Sequence, residues 1–367
     1  MNYLYAACIL LLYVSFAVAD HKPDHEDPTF CSKNSTKCQQ STSINVTCVQ
    51  QSDCIQYVNK NNGSLTLASA NDLAKNEDKL RIVYGQKIPG LEKFVLYYGL
   101  AVVERNSTIK LTELKDKNSC HTGVDRTVGW KIPVGYLLYT KEMNFTENQY
   151  ISASNFFGNS CAPGIKAKGV SQEVKDDFCK LCNDTCDSSD GYAGYVGAFK
   201  CMADGNNDRV GFVKQTTPDE VFRKYSGQYG ASDDYKLLCK DGATAELKNF
   251  ITCNIDKRPL HALVTRKDTS DEMVKKWQKM LEDATFDDLQ KGGIVSSYAE
   301  KLEKYSGSVK DYVGDYGKHY NALSGQIPPV PTPTPTPTPT MKPSSAPSSF
   351  GSFALQAIAI FAFVFLI

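Results

Sequence analysis

Hydrophobic positions along this chain fall into short, separated runs rather than one sustained stripe. The apolar runs Leu80 to Tyr84, Val95 to Val103 and Val210 to Val213 predict buried strands, with helical stretches between them. From Ser270 to Leu289 a capping serine, an acidic first turn and helical apolar spacing at Met273, Val274, Trp277 and Leu281 predict one helix. A further helix is predicted over Val295 to Tyr305. The class is therefore α/β, and no segment repeats except a Thr-Pro run near the C-terminal end.

Both ends of the sequence carry a different pattern. An apolar run from Leu4 to Val18 with small residues at Ala17 and Ala19 predicts a cleaved signal peptide over residues 1–19. A membrane-spanning helix is the other reading of this run, which is shorter than the ~20 residues a span needs. From Ile327 the sequence turns to alternating Thr and Pro, predicting an extended stalk over residues 327–343. Ser344, Ser345, Ala346, a Ser/Gly spacer and an uncharged apolar tail from Phe353 to Ile367 follow, the order of a GPI-attachment signal over residues 344–367. Ser344 or Ser345 is the expected attachment residue, Ser344 by preference. A C-terminal transmembrane helix is the rival, but the tail is shorter than a span and no Lys or Arg follows it.

Composition narrows the picture further. Acidic and basic side chains balance at 41 each, and no basic stripe with interleaved aromatics occurs, which sets nucleic acid aside. The length between leader and tail exceeds what one small core holds, so two packed subdomains are expected. Of 13 cysteines, Cys8 leaves with the leader, and the rest form an even set in a compartment where disulfides persist. Asn34, Asn45, Asn62, Asn106, Asn144 and Asn183 each begin an Asn-x-Ser/Thr triplet, the acceptor pattern for N-glycosylation.

Candidate chemistry is concentrated in four places. In Ser119-Cys-His-Thr-Gly-Val-Asp-Arg-Thr-Val-Gly-Trp130, Thr122, Gly123 and Arg126 sit at the expected opening of a helix. A hydroxyl, a guanidinium fork and unpaired N–H groups there suit a small planar oxyanion, although a capped helix with a surface Arg would read the same. Tyr195 stands between glycines in Tyr192-Ala-Gly-Tyr-Val-Gly197, which alone is an ordinary Gly-rich turn with a packed aromatic. Strand alternation sends Tyr97 and Tyr98 to opposite faces, so at most one looks into any given cleft. His261 opens an apolar strand, where a lone His is usually a hydrogen-bonded structural residue.

Together these segments resemble the transferrin family from about Cys31 to Arg266. The blocks that carry the likeness are Tyr97-Tyr98-Gly-Leu-Ala-Val-Val103, Ser119 to Gly135, Asn155-Phe-Phe-Gly-Asn-Ser-Cys-Ala-Pro163, Gly194 to Cys201, Val210-Gly-Phe-Val-Lys214, Tyr235-Lys-Leu-Leu-Cys-Lys-Asp241 and Pro259-Leu-His-Ala-Leu-Val-Thr-Arg266. The resemblance implies one lobe of the periplasmic-binding-protein-like type II fold: two α/β subdomains, residues 29–96 plus 262–322 and residues 97–261, around a hinged cleft. It implies a ferric ion bound with a synergistic carbonate. Tyr97 and Tyr195 match the phenolate ligands, His261 the imidazole, Thr122 and Arg126 the carbonate-binding side chains, and Val128 and Gly129 the amide donors. It implies the disulfides Cys31–Cys54, Cys38–Cys48, Cys120–Cys201, Cys161–Cys182, Cys179–Cys186 and Cys239–Cys253. A zinc site beginning at Cys179-x-x-Cys182 lacks a second pair or a nearby His.

Departures from the family bear on function. Its aspartate ligand follows an apolar-Thr-Leu pattern, and here Leu65-Thr66-Leu67 is followed by Ala68, with Asp72 a helical turn further on. A methyl group cannot coordinate, so iron binding is expected to persist but weaken. Lys214 matches one of a pair of lysines that repel in acid in some family lobes; the likeness fades after Arg266 and assigns no residue to its partner. The leading expectation is a non-enzymatic, GPI-anchored glycoprotein on the outer cell surface that captures ferric ion for uptake or sequestration; a secreted form is the alternative location, and any receptor is unknown. The alternative function is a recognition or adhesion protein that keeps the fold without useful iron binding. A hydrolase using His261 or His121 with a serine lacks a Gly-x-Ser-x-Gly elbow.

Overall fold

The computed structural model describes residues 28–327. The expected signal peptide, the GPI-attachment signal with Ser344, and the stalk apart from Ile327 lie outside the described residues. Among the described residues thirteen strands are present: β1 (Thr29–Ser32), β2 (Thr47–Gln50), β3 (Leu65–Ala68), β4 (Leu80–Lys87), β5 (Val95–Glu104), β6 (Asn118–His121), β7 (Ser160–Cys161), β8 (Arg209–Lys214), β9 (Tyr235–Leu238), β10 (Thr244–Ala245), β11 (Asp256–Pro259), β12 (Ala262–Arg266) and β13 (Lys301–Lys304). They form two mixed sheets. The first runs β13-β4-β12-β3-β1-β2, and the second runs β10-β9-β5-β8-β6-β7 with β11 paired to β5.

Parallel pairs sit together in each sheet, β2-β1-β3 in the first and β7-β6-β8 in the second, joined by helical crossovers. The chain passes between the sheets where β4 leads to β5 and returns where β11 leads to β12. These two passages lie side by side, with the Leu260 N–H donating to the Phe94 carbonyl at 2.8 Å. Strand β5 is the longest strand among the described residues: its first half pairs with β11 and its second with β8 and β9. Its apolar length explains that place, since Leu100 to Val103 are almost wholly buried between layers.

The C-terminal helix Val309–Ala322 packs on helices Ala70–Lys75 and Ile132–Tyr139. A Cβ on Gly135 would lie 2.3 Å from the His319 carbonyl oxygen, so only glycine allows this approach. His319 Nδ1 meets Asp256 Oδ2 at 2.6 Å, both buried, tying the helix to β11. All six disulfides named above are present.

The strands expected at Leu80, Val95 and Val210 are β4, β5 and β8. Two helical expectations need correction. The segment Ser270 to Leu289 is two helices, Asp271–Asp283 and Phe286–Lys291, because Ala284 is extended and the Thr285 N–H turns to the Ser43 hydroxyl. The segment Val295 to Tyr305 is not a helix: Lys301–Lys304 is β13, antiparallel to β4 from Lys87 to Tyr84. An exposed sheet edge offers a ladder of hydrogen bonds that this short apolar spacing could not outweigh as an isolated helix.

Candidate metal and anion site

The anion cradle starts where β6 ends. The helix Thr127–Lys131, wider than an α-helix, runs on into Ile132–Tyr139, and Arg126 precedes its first residue without capping it through its side chain. The N–H groups of Thr127, Val128 and Gly129 therefore lack an intrahelical acceptor. Beside them the Thr122 hydroxyl oxygen is buried without a hydrogen-bond partner. A Cβ on Gly129 would stand 2.2 Å from that oxygen, so glycine keeps the helix start pressed against Thr122. An orphaned hydroxyl, free amides and the Arg126 guanidinium are the donor set a planar oxyanion needs.

Below the cradle His121 is completely buried. Its Nδ1 donates to the Gly129 carbonyl at 2.6 Å, and its Nε2 accepts from the Ser119 hydroxyl at 2.8 Å, an assignment in which Gly129 admits only a donor. Burial lowers its pKa to about 4, with the Gly129 contact opposing, so the ring is neutral. The His121–Ser119 pair holds the helix start in place and has no access to a substrate, which removes it as hydrolytic machinery.

Tyr195 is the second residue of the helix Gly194–Ala203. Two links bind this helix to the cradle: Gly194 N–H donates to the Thr122 carbonyl at 2.9 Å, and Cys120–Cys201 joins β6 to the helix. Upstream, the Asp190 carboxylate accepts from the backbone N–H groups of Asn183, Asp184, Cys186 and Tyr192, fixing the approach to the helix. The Tyr195 hydroxyl comes within hydrogen-bonding reach of Tyr97, and burial, then Tyr97, push its pKa to about 12. Lys214 Nζ lies 4.6 Å from the centre of the Tyr195 ring. On β5, Tyr97 is half-buried toward this space while Tyr98 is fully buried and packs on Phe250, the opposite-face arrangement that alternation demands.

His261 lies just ahead of β12, half-buried, with its Nδ1 hydrogen-bonded to the Tyr298 hydroxyl and 3.3 Å from the Ser296 hydroxyl. Burial first, then the charge of Arg258, lowers its pKa to about 4. Ala68 ends β3 without exposure, in an apolar cluster with Val58, Leu73 and Ala262. Asp72 closes a capping box with Ser69. The structure thus brings Tyr195 to Tyr97 and Lys214 and sets Thr122 against Gly129 in the helix start that also holds Val128; the charges of Arg126 and Arg258 act on Tyr195, and His261 touches Tyr298 and feels Arg258.

The family model described as Transferrin matches residues 22–301. The chain belongs to the transferrin family. Among its curated relatives, human melanotransferrin is 36% identical over 214 residues, covering 55% of this chain and 28% of that protein. Serotransferrin-A of Xenopus laevis is 31% identical over 284 residues, covering 71% of this chain and 38% of that protein. The chain therefore spans well under half the length of these relatives. The solved structure of transferrin 1 from Manduca sexta superposes with a TM-score of 0.62 at 21% identity, covering 81% of this chain and 52% of that one, and so shares the fold.

Arg258 and Tyr298 escaped sequence reasoning as site residues. Arg258 is directly opposite Tyr97 in the β5–β11 register, with its guanidinium carbon 5.6 Å from the Tyr97 ring centre. The only local hint was its place three residues before His261.

Proposed function

We propose that this transferrin-family chain binds a ferric ion with carbonate, through Tyr97, Tyr195 and His261 as metal ligands and Thr122, Arg126 and the amides of Val128 and Gly129 as the anion cradle. The observation that carries the reading is the unpartnered, buried Thr122 hydroxyl beside free helix-start amides, one hydrogen bond away from the helix that brings Tyr195 to Tyr97. Phenolates are hard anionic donors suited to a trivalent ion, and binding must displace their protons, so affinity falls in acid. Ala68 leaves the coordination sphere one carboxylate short. Losing an outer-shell partner alone typically costs roughly 10 to 100-fold in metal affinity, so the site binds more weakly than one with that ligand.

The protein works outside the cell, held on the membrane by a GPI anchor, and does no catalysis. Six disulfides and the exposure of all six candidate glycosylation asparagines support the extracellular setting. The test is colour: purified protein with ferric ion and bicarbonate turns orange-red by phenolate-to-iron charge transfer and keeps its iron through desalting. A colourless, iron-free product overturns the proposal and favours a recognition or adhesion role, for which the missing carboxylate at Ala68 is the support. Release from intact cells by a phosphatidylinositol-specific phospholipase tests the anchor.

A further inference from the structure

Arg258 is a cation placed among the three proposed protein ligands. The pairing of β11 with β5 sets it across from Tyr97 on one face of the sheet, and its charge acts on Tyr195, His261, Tyr298 and Tyr316 as well. The groups set against its guanidinium are phenols: the Tyr97 ring, 5.6 Å from the guanidinium carbon, and Tyr316. Its Nε is buried and has no hydrogen-bond partner, while the guanidinium comes within hydrogen-bonding reach of Tyr316. A buried donor on a charged group that goes unpaired is expensive, and the edge of a guanidinium at Nε is shaped to take a carboxylate with two parallel hydrogen bonds.

Charge and coordination point the same way. A ferric ion with two phenolates and a carbonate carries one net negative charge, which Arg126 cancels; Arg258 then leaves the cleft with an unbalanced positive charge, and Lys214 adds to it. Asp72, held by Ser69, keeps its charge, acts on His261 and offsets one of these two cations; Ala68, a methyl, offsets none, so one positive charge remains. Two phenolates, one imidazole and a chelating carbonate also leave an octahedral ion one donor short.

Resting on the function proposed above, we infer that the cleft takes its ferric ion as a complex with a polydentate hydroxycarboxylate that stands in place of the carbonate, one carboxylate of which bridges the ion and the Arg258 guanidinium. Arg258 replaces the anchoring that a protein carboxylate would provide with selection for an anionic chelate. The cargo is then iron already complexed in solution, delivered with its chelator.

The experiment compares bicarbonate alone, citrate alone and both, each with ferric ion and the whole purified protein. Two readings are made: iron retained after desalting, and the ultraviolet difference spectrum of the tyrosines on titration with citrate without iron. Wild type retains at least tenfold more iron with citrate than with bicarbonate alone and gives a saturable iron-free citrate signal. Arg258→Leu loses the iron-free signal, and its ratio of citrate-supported to bicarbonate-supported iron falls from at least ten to about one. Arg258→Lys, which keeps the charge and loses the fork, falls several-fold on both readings and serves if the Leu variant does not fold. Equal citrate responses in wild type and the Arg258 variants, or citrate that only strips iron, overturn the inference while leaving the carbonate reading intact. Absence of colour with either anion overturns both, and a surviving iron-free citrate signal then marks an anion site alone.

Discussion

The two halves of the cleft are built to different standards. On the side of the second sheet, Thr122, Gly129 and the helix bearing Tyr195 are tied together by a disulfide, a cross-loop hydrogen bond and a buried histidine beneath the helix start. On the side of the first sheet, the end of β3 is a buried methyl and His261 is engaged by Tyr298. On the proposed reading, one half is an anion and phenol platform, and the other contributes one imidazole and no carboxylate. Under the proposed function, the contrast makes anion capture and coupling of the two halves through a shared metal separately testable.

The sharpest way to break the comparison is to remove a phenol from the well-built half. Tyr195→Phe is expected to lose more than about 100-fold in ferric affinity, beyond the outer-shell range, with most of the charge-transfer absorption gone and thermal stability little changed. If it binds like wild type, the platform is not the binding side. Gly129→Ala drives a methyl into Thr122 and is expected to lower bicarbonate-dependent iron retention by roughly 100-fold, with about 1–3 kcal/mol of stability lost to overpacking. Retention independent of bicarbonate in both proteins would place the anion elsewhere.

Acid separates the halves by a different measure. His121 and His261 both have pKa values lowered from 6.5 to about 4, in each case mainly by burial. The unfolded chain therefore takes up more protons in that window, so stability is complete above pH 6.5 and falls as pH drops toward 4. Fully buried His121 carries most of this, up to about 3 kcal/mol, whereas His261, only partly buried, carries less through solvent screening. Urea midpoints measured from pH 7 to 4.5 should flatten markedly in His121→Gln and only slightly in His261→Gln; the reverse order would contradict the burial argument.

The smallest change repairs the weaker half. Ala68→Asp is expected to tighten iron binding by roughly tenfold, read by competition with a chelator, because a carboxylate is restored at the end of β3. The iron-free variant should lose about 1–3 kcal/mol, since the new charge enters an apolar cluster. Tightening without that loss would mean the side chain points away from Val58 and Leu73.

Much of the fold was legible because its signals are local. The strands at Leu80, Val95 and Val210 announce themselves by runs of apolar residues, and the opposite fates of Tyr97 and Tyr98 follow from strand geometry alone. The segment from Val295 to Tyr305 was misread because its conformation depends on the free edge of β4, which no local window contains. The break at Ala284 likewise depends on Ser43, far away in the chain.

By itself, the sequence determined which donors exist: two phenols, an imidazole, a hydroxyl next to a guanidinium, an even set of cysteines, and a methyl where a carboxylate would serve. Only the tertiary structure decided which of them meet, and that a second guanidinium stands among them. The reason is physical: residue chemistry and short-range periodicity are written along the chain, but the register that sets Arg258 against Tyr97 comes from pairing two distant strands, and burial, which turns an ordinary arginine into an unpartnered donor, belongs to the packed whole.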